Sequence, residues 1–237
     1  MHKLIVMSAT YQQSSRVTPD RLEKDPENVL LSRGPRFRLE AELVRDAALT
    51  ASGLISDKLG GPSVYPPQLA SITTEGAYGP LTWTVSSGPD RYRRSLYTFA
   101  KRTAPFAMFN IFDGPSGEAC LAKRDRSNTP LQSLTLLNDE AFLEMARALG
   151  GEAAKDTGTV EEKITRLFRR CLTRPPTADE VAKLAAFYER QTARFANGEL
   201  KAAELLGTSE GEQLNEQAAW TTVARVLMNL DETVTKG

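Results

Sequence analysis

The sequence predicts a mainly α protein, with a C-terminal helical bundle, a long irregular central segment and at most a short β-hairpin. Two observations carry this prediction. From residue 131 to residue 237, apolar residues recur at the three- and four-residue spacing of amphipathic helices. Between residues 58 and 130 the chain is instead rich in glycine, proline and arginine, without sustained periodicity.

The first helix is predicted from Phe37 to about Ser52, where apolar residues follow one helical face. Gly34-Pro35 precedes this helix and Gly53 marks its end. In the irregular segment that follows, residues 82–85 (Thr-Trp-Thr-Val) are compatible with one short strand. A segment this long without secondary structure is uncommon inside a compact domain and usually serves a ligand or a partner.

Capping signals mark the helices of the predicted bundle. Thr129 and Gln132 have the spacing of a capping box, and Pro130 occupies the first helical position. A second helix is predicted to begin at an Asn138 cap and to end at Gly150-Gly151.

Three further helices complete the bundle. Apolar residues from Val160 to Leu172 predict one, and a capping box at Thr177–Glu180 begins the next. The last is predicted from about Glu212 to Leu230. The whole chain, 1–237, is predicted as a single domain with a loop and helix (1–57), the irregular segment (58–130) and the bundle (131–237).

Charge and composition limit the possible partners. Thirty basic and thirty acidic residues cancel, so nucleic acid is not an expected partner. No apolar run approaches the roughly 20 residues of a membrane-spanning helix. The apolar stretch from Leu4 to Met7 is too short for a signal peptide, which taken alone favours the cytoplasm.

Cysteine and histidine are scarce, which limits the chemistry of the chain. Two cysteines without a C-x-x-C pattern exclude covalent haem attachment and a cysteine-rich zinc site within this chain. The single histidine, His2, makes a Ser-His-Asp arrangement improbable. We therefore expect neither a cofactor nor a metal here. Cys171 is predicted to be a buried apolar residue, whereas Cys120 is open to three interpretations: an inert side chain, a reactive thiol or half of a bridge to Cys171.

A candidate site lies in the segment 91–130, which holds eight basic residues against three acidic ones. Six aromatic residues interleave with them, and arginine side chains suit sulfate, phosphate or carboxylate groups. The helix beginning near Thr129 directs free backbone N–H groups toward this segment. The candidate residues for an anion or partner site are Arg93, Arg94, Arg102, Asp113, Glu118, Cys120, Arg124, Arg126 and Asn128.

A purely structural role explains the same arginines. Residues 131–165 hold seven acidic residues against three basic ones, so the arginines can be neutralised internally. Arginine side chains also commonly hold long loops in place through backbone carbonyls. The sequence leaves both interpretations open.

A series of short blocks resembles the PSD-type domain, a domain of unknown function that follows cytochrome-like modules in large proteins of planctomycetes and related bacteria. The resemblance extends to residues 226–232 (VLMNLDE) near the end of the chain. The main blocks, in order, are SATYQQSS (8–15), DPEN (25–28), GPRFRL (34–39), GGPSV (60–64), YRRSLY (92–97), KRT (101–103), FDGP (112–115), RSNTPLQ (126–132) and LND (137–139).

The resemblance implies a place in a larger protein. Members are usually long exported proteins in which this domain follows a haem c-binding region and a second helical domain. By this resemblance the chain is an N-terminally truncated member, its location is periplasmic or otherwise exported, and its partners are those upstream domains. Haem c is expected only in the upstream domains. Gene neighbours of the family suggest a role in the breakdown of complex, often sulfated, polysaccharides.

Three functions are compatible with these observations. The first is a non-catalytic docking module that binds its partner domain through the arginine-rich segment and the long loop. The second is part of an oxidoreductase or hydrolase acting on sugars and completed by upstream domains. The third is a binder of anionic polysaccharide. The terminal position of His2 favours the first over the second.

Overall fold

The computed structural model describes residues 1–68, 83–101, 105–117, 119–211 and 213–236, and it is mainly helical, as predicted. The chain divides into two compact units. The N-terminal unit comprises Met1–Leu39 and Val234–Gly237, and the helical unit comprises Glu40–Thr233.

The N-terminal unit has little regular structure. Its elements are α1 (His2–Val6), α2 (Pro19–Lys24), β1 (Phe37–Arg38) and β2 (Thr235–Lys236), and β1 pairs antiparallel with β2. The Asp25 carboxylate is buried and accepts hydrogen bonds from the backbone N–H groups of Leu30 (3.1 Å) and Ser32 (3.4 Å). By contrast, α1 and α2 contain no buried residue.

The helical unit contains the remaining helices and two short 3₁₀ turns at Gly88–Tyr92 and Ser95–Tyr97. Its helices are α3 (Ala41–Ser52), α4 (Ala107–Ile111), α5 (Pro130–Asn138), α6 (Glu140–Lys155), α7 (Val160–Leu172), α8 (Ala178–Ala196), α9 (Ala202–Leu206), α10 (Leu214–Met228) and α11 (Asp231–Val234).

The core forms around α10, which packs against α6, α7, α8 and α9. Trp220, Val223 and Leu227 of α10 have no exposed surface, and neither does Leu149 of α6. Helices α6 and α10 approach closely because Gly150 has no side chain at their crossing. A β-carbon at that position would lie 2.5 Å from the backbone nitrogen of Thr221.

This close approach corrects one predicted boundary. Gly150-Gly151 was expected to end the second bundle helix, but α6 continues through both glycines to Lys155. The cap is also different, because Asp139 rather than Asn138 caps α6, its carboxylate accepting the Ala141 N–H at 2.9 Å. Asn138 is instead the last residue of α5.

Two further helix starts differ from the prediction. Helix α3 begins at Ala41 rather than Phe37, because Phe37 and Arg38 pair with β2. Helix α10 spans Leu214–Met228, within the predicted 212–230, and Glu212 lies outside the described residues. Gly53 ends α3 as predicted, in the left-handed conformation at φ 73°.

The prediction of a capping box at Thr129 and Gln132 is wrong, although Pro130 is the first residue of α5 as predicted. Thr129 occupies the N-cap position without a side-chain hydrogen bond. Gln132 is buried, and its amide donates to the carbonyl of Ile111 (3.0 Å) and the hydroxyl of Ser127 (3.2 Å). The Gln132 side chain therefore bonds to Ile111 and Ser127 instead of capping α5, as the local pattern predicted.

The Thr177–Glu180 capping box is confirmed, and a second box, Thr159–Glu162, begins α7. Arg174 binds Glu180 at 2.7 Å and Glu232 at 2.6 Å. The hydrogen bond from Arg174 lowers the pKa of Glu180 to about 2.

The predicted strand at residues 82–85 is not formed within the described part. Thr82 lies outside the described residues, and Trp83–Val85 are irregular. Their interactions are side-chain ones: the Trp83 indole donates to the carbonyl of Pro66 at 2.7 Å. Nearby, the Ser86 N–H donates to the carbonyl of Tyr65 at 2.9 Å, and isolated bridges join Ser56 to Arg93 and Val64 to Thr98.

Candidate functional site

A buried arginine from α3 fixes the backbone where the arginine-rich segment begins. Arg45 is 1% exposed and donates to the carbonyls of Arg93 (2.8 Å) and Arg91 (3.1 Å) and to the Ser95 hydroxyl (3.2 Å). Burial lowers the pKa of Arg45 to about 10, although the nearby Asp46 opposes this shift. Arg45 thus stays charged near neutral pH and serves as a rigid clamp.

Arg93, one of the predicted site residues, is the second buried clamp. Its side chain is fully buried and donates to the carbonyls of Pro62 (3.0 Å), Lys58 (3.3 Å) and Gly60. The guanidinium also lies over the Tyr97 ring, 3.8 Å from its centroid. Arg93 therefore ties residues 58–62 to the 3₁₀ turn, and it is not accessible to a ligand.

Beside these clamps, an open cleft of about 670 Å³ lies between α3, α4 and the segment 94–101. Aromatic side chains form part of its wall, and carboxylates and cations from distant parts of the chain meet at its rim. The cleft is lined by Glu40, Glu42, Leu43, Asp46, Arg94, Ser95, Leu96, Thr98, Phe99, Ala100, Lys101, Pro105, Phe106, Phe109, Pro115, Ser116, Gly117 and Arg124.

Both arginines of the cleft form ion pairs with carboxylates of α3 or its N-cap. Arg124 makes a two-pronged contact with Glu42 at 2.7 and 3.1 Å and approaches Glu40 at 3.4 Å. The hydrogen bond to Glu42 raises the pKa of Arg124. Arg94 lies 3.5 Å from Asp46. Lys101 also lines the cleft and is half-buried.

Aromatic rings form a continuous cluster behind the cleft. Trp83 stacks on Phe106 at 5.7 Å between ring centroids, and Phe106 meets Phe109 edge to face at 5.1 Å. Tyr65 stacks on Phe99 at 5.0 Å. Such ring pairs add stability beyond their buried area, so this wall is preformed rather than assembled by a ligand.

Asp113 has a structural role in joining two parts of the segment. Its backbone adopts φ 58°, and its carboxylate accepts the Ser127 N–H at 2.6 Å and the Ser127 hydroxyl at 2.9 Å. Ser127 in turn accepts the Gln132 amide. This network fixes the chain before α5 and joins two of the blocks on which the family resemblance rests.

The remaining predicted site residues do not converge on one point among the described positions. Cys120, Arg126 and Asn128 are exposed and do not line the cleft, and Arg126 has an interaction partner of its own. Arg102 and Glu118 lie outside the described residues. Of the predicted set, the cleft thus contains Arg94 and Arg124, and the proposed anion or partner site stays a prediction.

The two cysteines are unpaired. Cys120 is exposed and Cys171 is half-buried on α7, so the bridge between them is not formed. Burial raises the pKa of the Cys171 thiol to about 12, which keeps it protonated and unreactive.

The sequence gives no direct sign that acidic residues line the cleft. Glu42 and Asp46 lie on α3, about 80 residues before Arg124, and their side chains are only partly exposed. No local pattern distinguishes them. The only available signal was that α3 has carboxylates while the irregular segment has an excess of arginine.

The described residues include no cluster of three or more His, Cys, Asp and Glu side chains that could hold a metal ion. None of the helices within the described ranges is long and apolar enough to cross a membrane. The candidate site is thus a cleft with an aromatic wall and with ion pairs between its arginines and carboxylates.

Comparison with known proteins identifies a family but no individual relative. Searches of curated proteins and of solved structures found no match. The model of the family PSD1, described as "Protein of unknown function (DUF1553)", matches residues 1–188. This range ends within α8, so the resemblance drawn for residues 226–232 lies beyond it. Because the match covers well over half of the chain, the protein belongs to the PSD1 family of unknown function.

Proposed function

We propose that the chain is a non-catalytic docking module whose N-terminal unit binds another polypeptide through exposed apolar side chains. The observation that carries this proposal is their exposure, which ranges from 42% for Val6 to 95% for Met1. Apolar residues exposed singly are ordinary, but consecutive ones mark interaction sites. The docking residues are Met1, Leu4, Ile5, Val6, Met7, Leu22, Val29, Leu30 and Leu31.

The charge of the N-terminal unit indicates the kind of partner. This unit has eight basic residues against four acidic ones, although the whole chain is neutral. A partner with an apolar face bordered by carboxylates would complement it, and such complementarity also speeds association. The basic residues are Lys3, Arg16, Arg21, Lys24, Arg33, Arg36, Arg38 and Lys236.

The family resemblance supplies a specific partner, the helical domain that precedes this one in full-length relatives. In this proposal the chain acts within an exported, cytochrome c-associated protein, and haem c belongs to the upstream domains. The suggested link to polysaccharide breakdown is then a property of the larger protein.

The pairing of the cleft arginines weighs against the alternative of a site for anionic polysaccharide. A sulfated sugar at Arg124 would have to displace the two-pronged contact with Glu42 and face the Glu40 carboxylate. Asp113, Cys120 and Arg126 likewise form no acid–base or nucleophilic centre together, which favours docking over catalysis.

The direct test is isothermal titration calorimetry of this chain into the helical domain of a full-length family member. Burial of the docking residues predicts saturable binding with a negative heat-capacity change. The double variant Leu4→Asp with Leu30→Asp should weaken this binding by about tenfold or more per site, because each leucine side chain contributes roughly 1.5–3 kcal/mol when buried.

The matched control is Leu131→Asp, since Leu131 is 56% exposed in α5 and belongs to the helical unit. This variant should bind like the unmodified chain. Absence of binding by the unmodified chain, or equal loss in the control, would refute the proposal. Sedimentation showing a dimer mediated by Leu4 and Leu30 would assign the surface to a second copy instead.

A further inference from the structure

We propose that the cleft beside α3 binds an aromatic molecule with a single negative charge, which pairs with Lys101. This site lies within the helical unit and does not depend on the docking function of residues 1–31. It rests on three features that the described residues give the cleft: a cation without a paired carboxylate, carboxylates equal in number to the cations, and exposed apolar surface next to an aromatic wall.

Among the described residues that line the cleft, Lys101 is the cation without a paired carboxylate. The other cations of the cleft are neutralised, Arg124 by Glu42 at 2.7 Å and Arg94 by Asp46 at 3.5 Å. Among the residues that the structure describes, no carboxylate is paired with Lys101. Lys101 as a whole is half-buried, and a lysine in such a place gains more from an incoming anion than a fully solvated one does.

The surrounding carboxylates restrict the charge of the ligand. Glu40, Glu42 and Asp46 line the same cleft, so the cations and carboxylates present balance before a ligand enters. A singly charged anion can pair with Lys101 at small repulsive cost. A doubly charged group would add a second negative charge, and the described lining offers no second unpaired cation to meet it, which selects against phosphate monoesters.

The apolar part of the cleft provides a place for the body of the ligand. Leu96 is 73% exposed and Leu43 is 45% exposed, both on the cleft lining, and burial of such surface is favourable. Phe99 and Phe109 are half-buried and present ring surface for stacking. A volume of about 670 Å³ is typical of small-molecule sites.

This chemistry could come from two sources, a free aromatic acid or the C-terminal carboxylate of a peptide that ends in an aromatic residue. Both would place a carboxylate at Lys101 and a ring against Phe99 and Phe109. A comparison of 3-phenylpropionate with N-acetyl-alanyl-phenylalanine distinguishes them, since a peptide site would bind the second at least about tenfold more tightly.

Tryptophan fluorescence of the full chain reports binding. Trp83 lies 5.7 Å from Phe106 and 6.5 Å from Phe99 between ring centroids, whereas Trp220, the other tryptophan, is fully buried in the helical core. Titration with 3-phenylpropionate should change the emission saturably. The neutral 3-phenylpropanamide and the dianion phenyl phosphate should each bind about tenfold more weakly, because each lacks the matched single charge.

A pair of variants distinguishes a specific contact with Lys101 from a general effect of the protein's positive charge. Lys101→Met keeps the apolar stem, and it should weaken 3-phenylpropionate about tenfold while leaving the amide unchanged. Lys123→Met, an exposed lysine outside the cleft, should change neither. The proposal is overturned if 3-phenylpropionate gives no saturable response, if the amide binds equally well, or if both variants lose affinity alike.

Discussion

The two compact units of this chain differ in how far their apolar side chains are exposed to solvent. In the helical unit, Leu149 and Leu227 have no exposed surface, whereas Leu4 and Leu30 of the N-terminal unit are 79% and 75% exposed. Burial of leucine is the main favourable term in folding, so the N-terminal unit gains little from its own leucines. This difference supports our proposal that the exposed leucines bind another polypeptide.

Charge follows a similar division. In the helical unit two arginines are buried and used as clamps, with Arg45 and Arg93 donating to backbone carbonyls. In the N-terminal unit most basic residues remain at the surface, as in the pair of Lys24 with Asp20, whose side chains are about 70% exposed. Arg45 and Arg93 thus hold the helical unit together, whereas Lys3, Arg16, Arg21 and Lys24 of the N-terminal unit are exposed.

The largest expected effect is the loss of a clamp. Arg45→Met should lower the free energy of unfolding by about 3 kcal/mol, because the carbonyls of Arg91 and Arg93 would be left without donors in a buried place. Urea denaturation measures this. Arg190→Met, exposed on α8, serves as the control and should change stability by less than about 0.5 kcal/mol.

A smaller loss is expected where α6 crosses α10. Gly150→Ala should cost about 2 kcal/mol, since the new β-carbon would lie 2.5 Å from the Thr221 nitrogen and force the helices apart. At the adjacent Gly151 the nearest atom is the flexible Gln217 side chain at 3.2 Å. Gly151→Ala should therefore be neutral or stabilise by up to about 1 kcal/mol. Equal loss in both variants would contradict the close approach at Gly150.

A smaller effect still should appear on acidification. Arg174 lowers the pKa of Glu180 from 4.5 to about 2, so the stability that this carboxylate provides is present above about pH 4.5 and is lost as the pH falls toward 2. The side chains of Arg174 and Glu180 are 38% and 31% exposed, so screening by solvent keeps the contribution under about 1 kcal/mol. Glu180→Gln should remove it, whereas Asp179→Asn, 71% exposed, should keep the pH dependence. Thermal melts between pH 2 and 7 measure it.

The smallest effect should come from the N-terminal unit itself. Leu30→Ser should change the free energy of unfolding of the isolated chain by less than about 0.5 kcal/mol, because this side chain is already in water. Leu149→Ala, in the core, should cost about 2–5 kcal/mol. A cost for Leu30→Ser that approached the core value would show that residue 30 stabilises the fold rather than awaits a partner.

Much of the helical unit could be predicted from the sequence because its signals are local. Apolar spacing indicated α7 and α8, and Thr177 with Glu180 fixed the start of α8. The failures arose where tertiary partners outweigh local signals. Gly150 resembles a stop signal but serves a helix crossing, and Gln132 fits a capping box but reaches Ile111 instead.

The candidate site could be predicted only in part for the same reason. Arginine excess drew attention to residues 91–130, and Arg94 and Arg124 do line the cleft. Their partners, Asp46 and Glu42, come from a helix far away in the sequence. The burial of Arg93 could not be predicted from the sequence either. A charged side chain is expected at the surface unless its tertiary partners are known.

Amide hydrogen exchange can show whether residues 1–31 dock on another polypeptide, as we propose. Exchange should be measured on the chain alone and bound to the helical domain of a full-length family member. Docking predicts strong new protection in residues 1–31, since α1 and α2 are exposed without a partner, and little change in the already buried α6 and α10. Protection confined to the helical unit, with residues 1–31 exchanging as before, would contradict the claim.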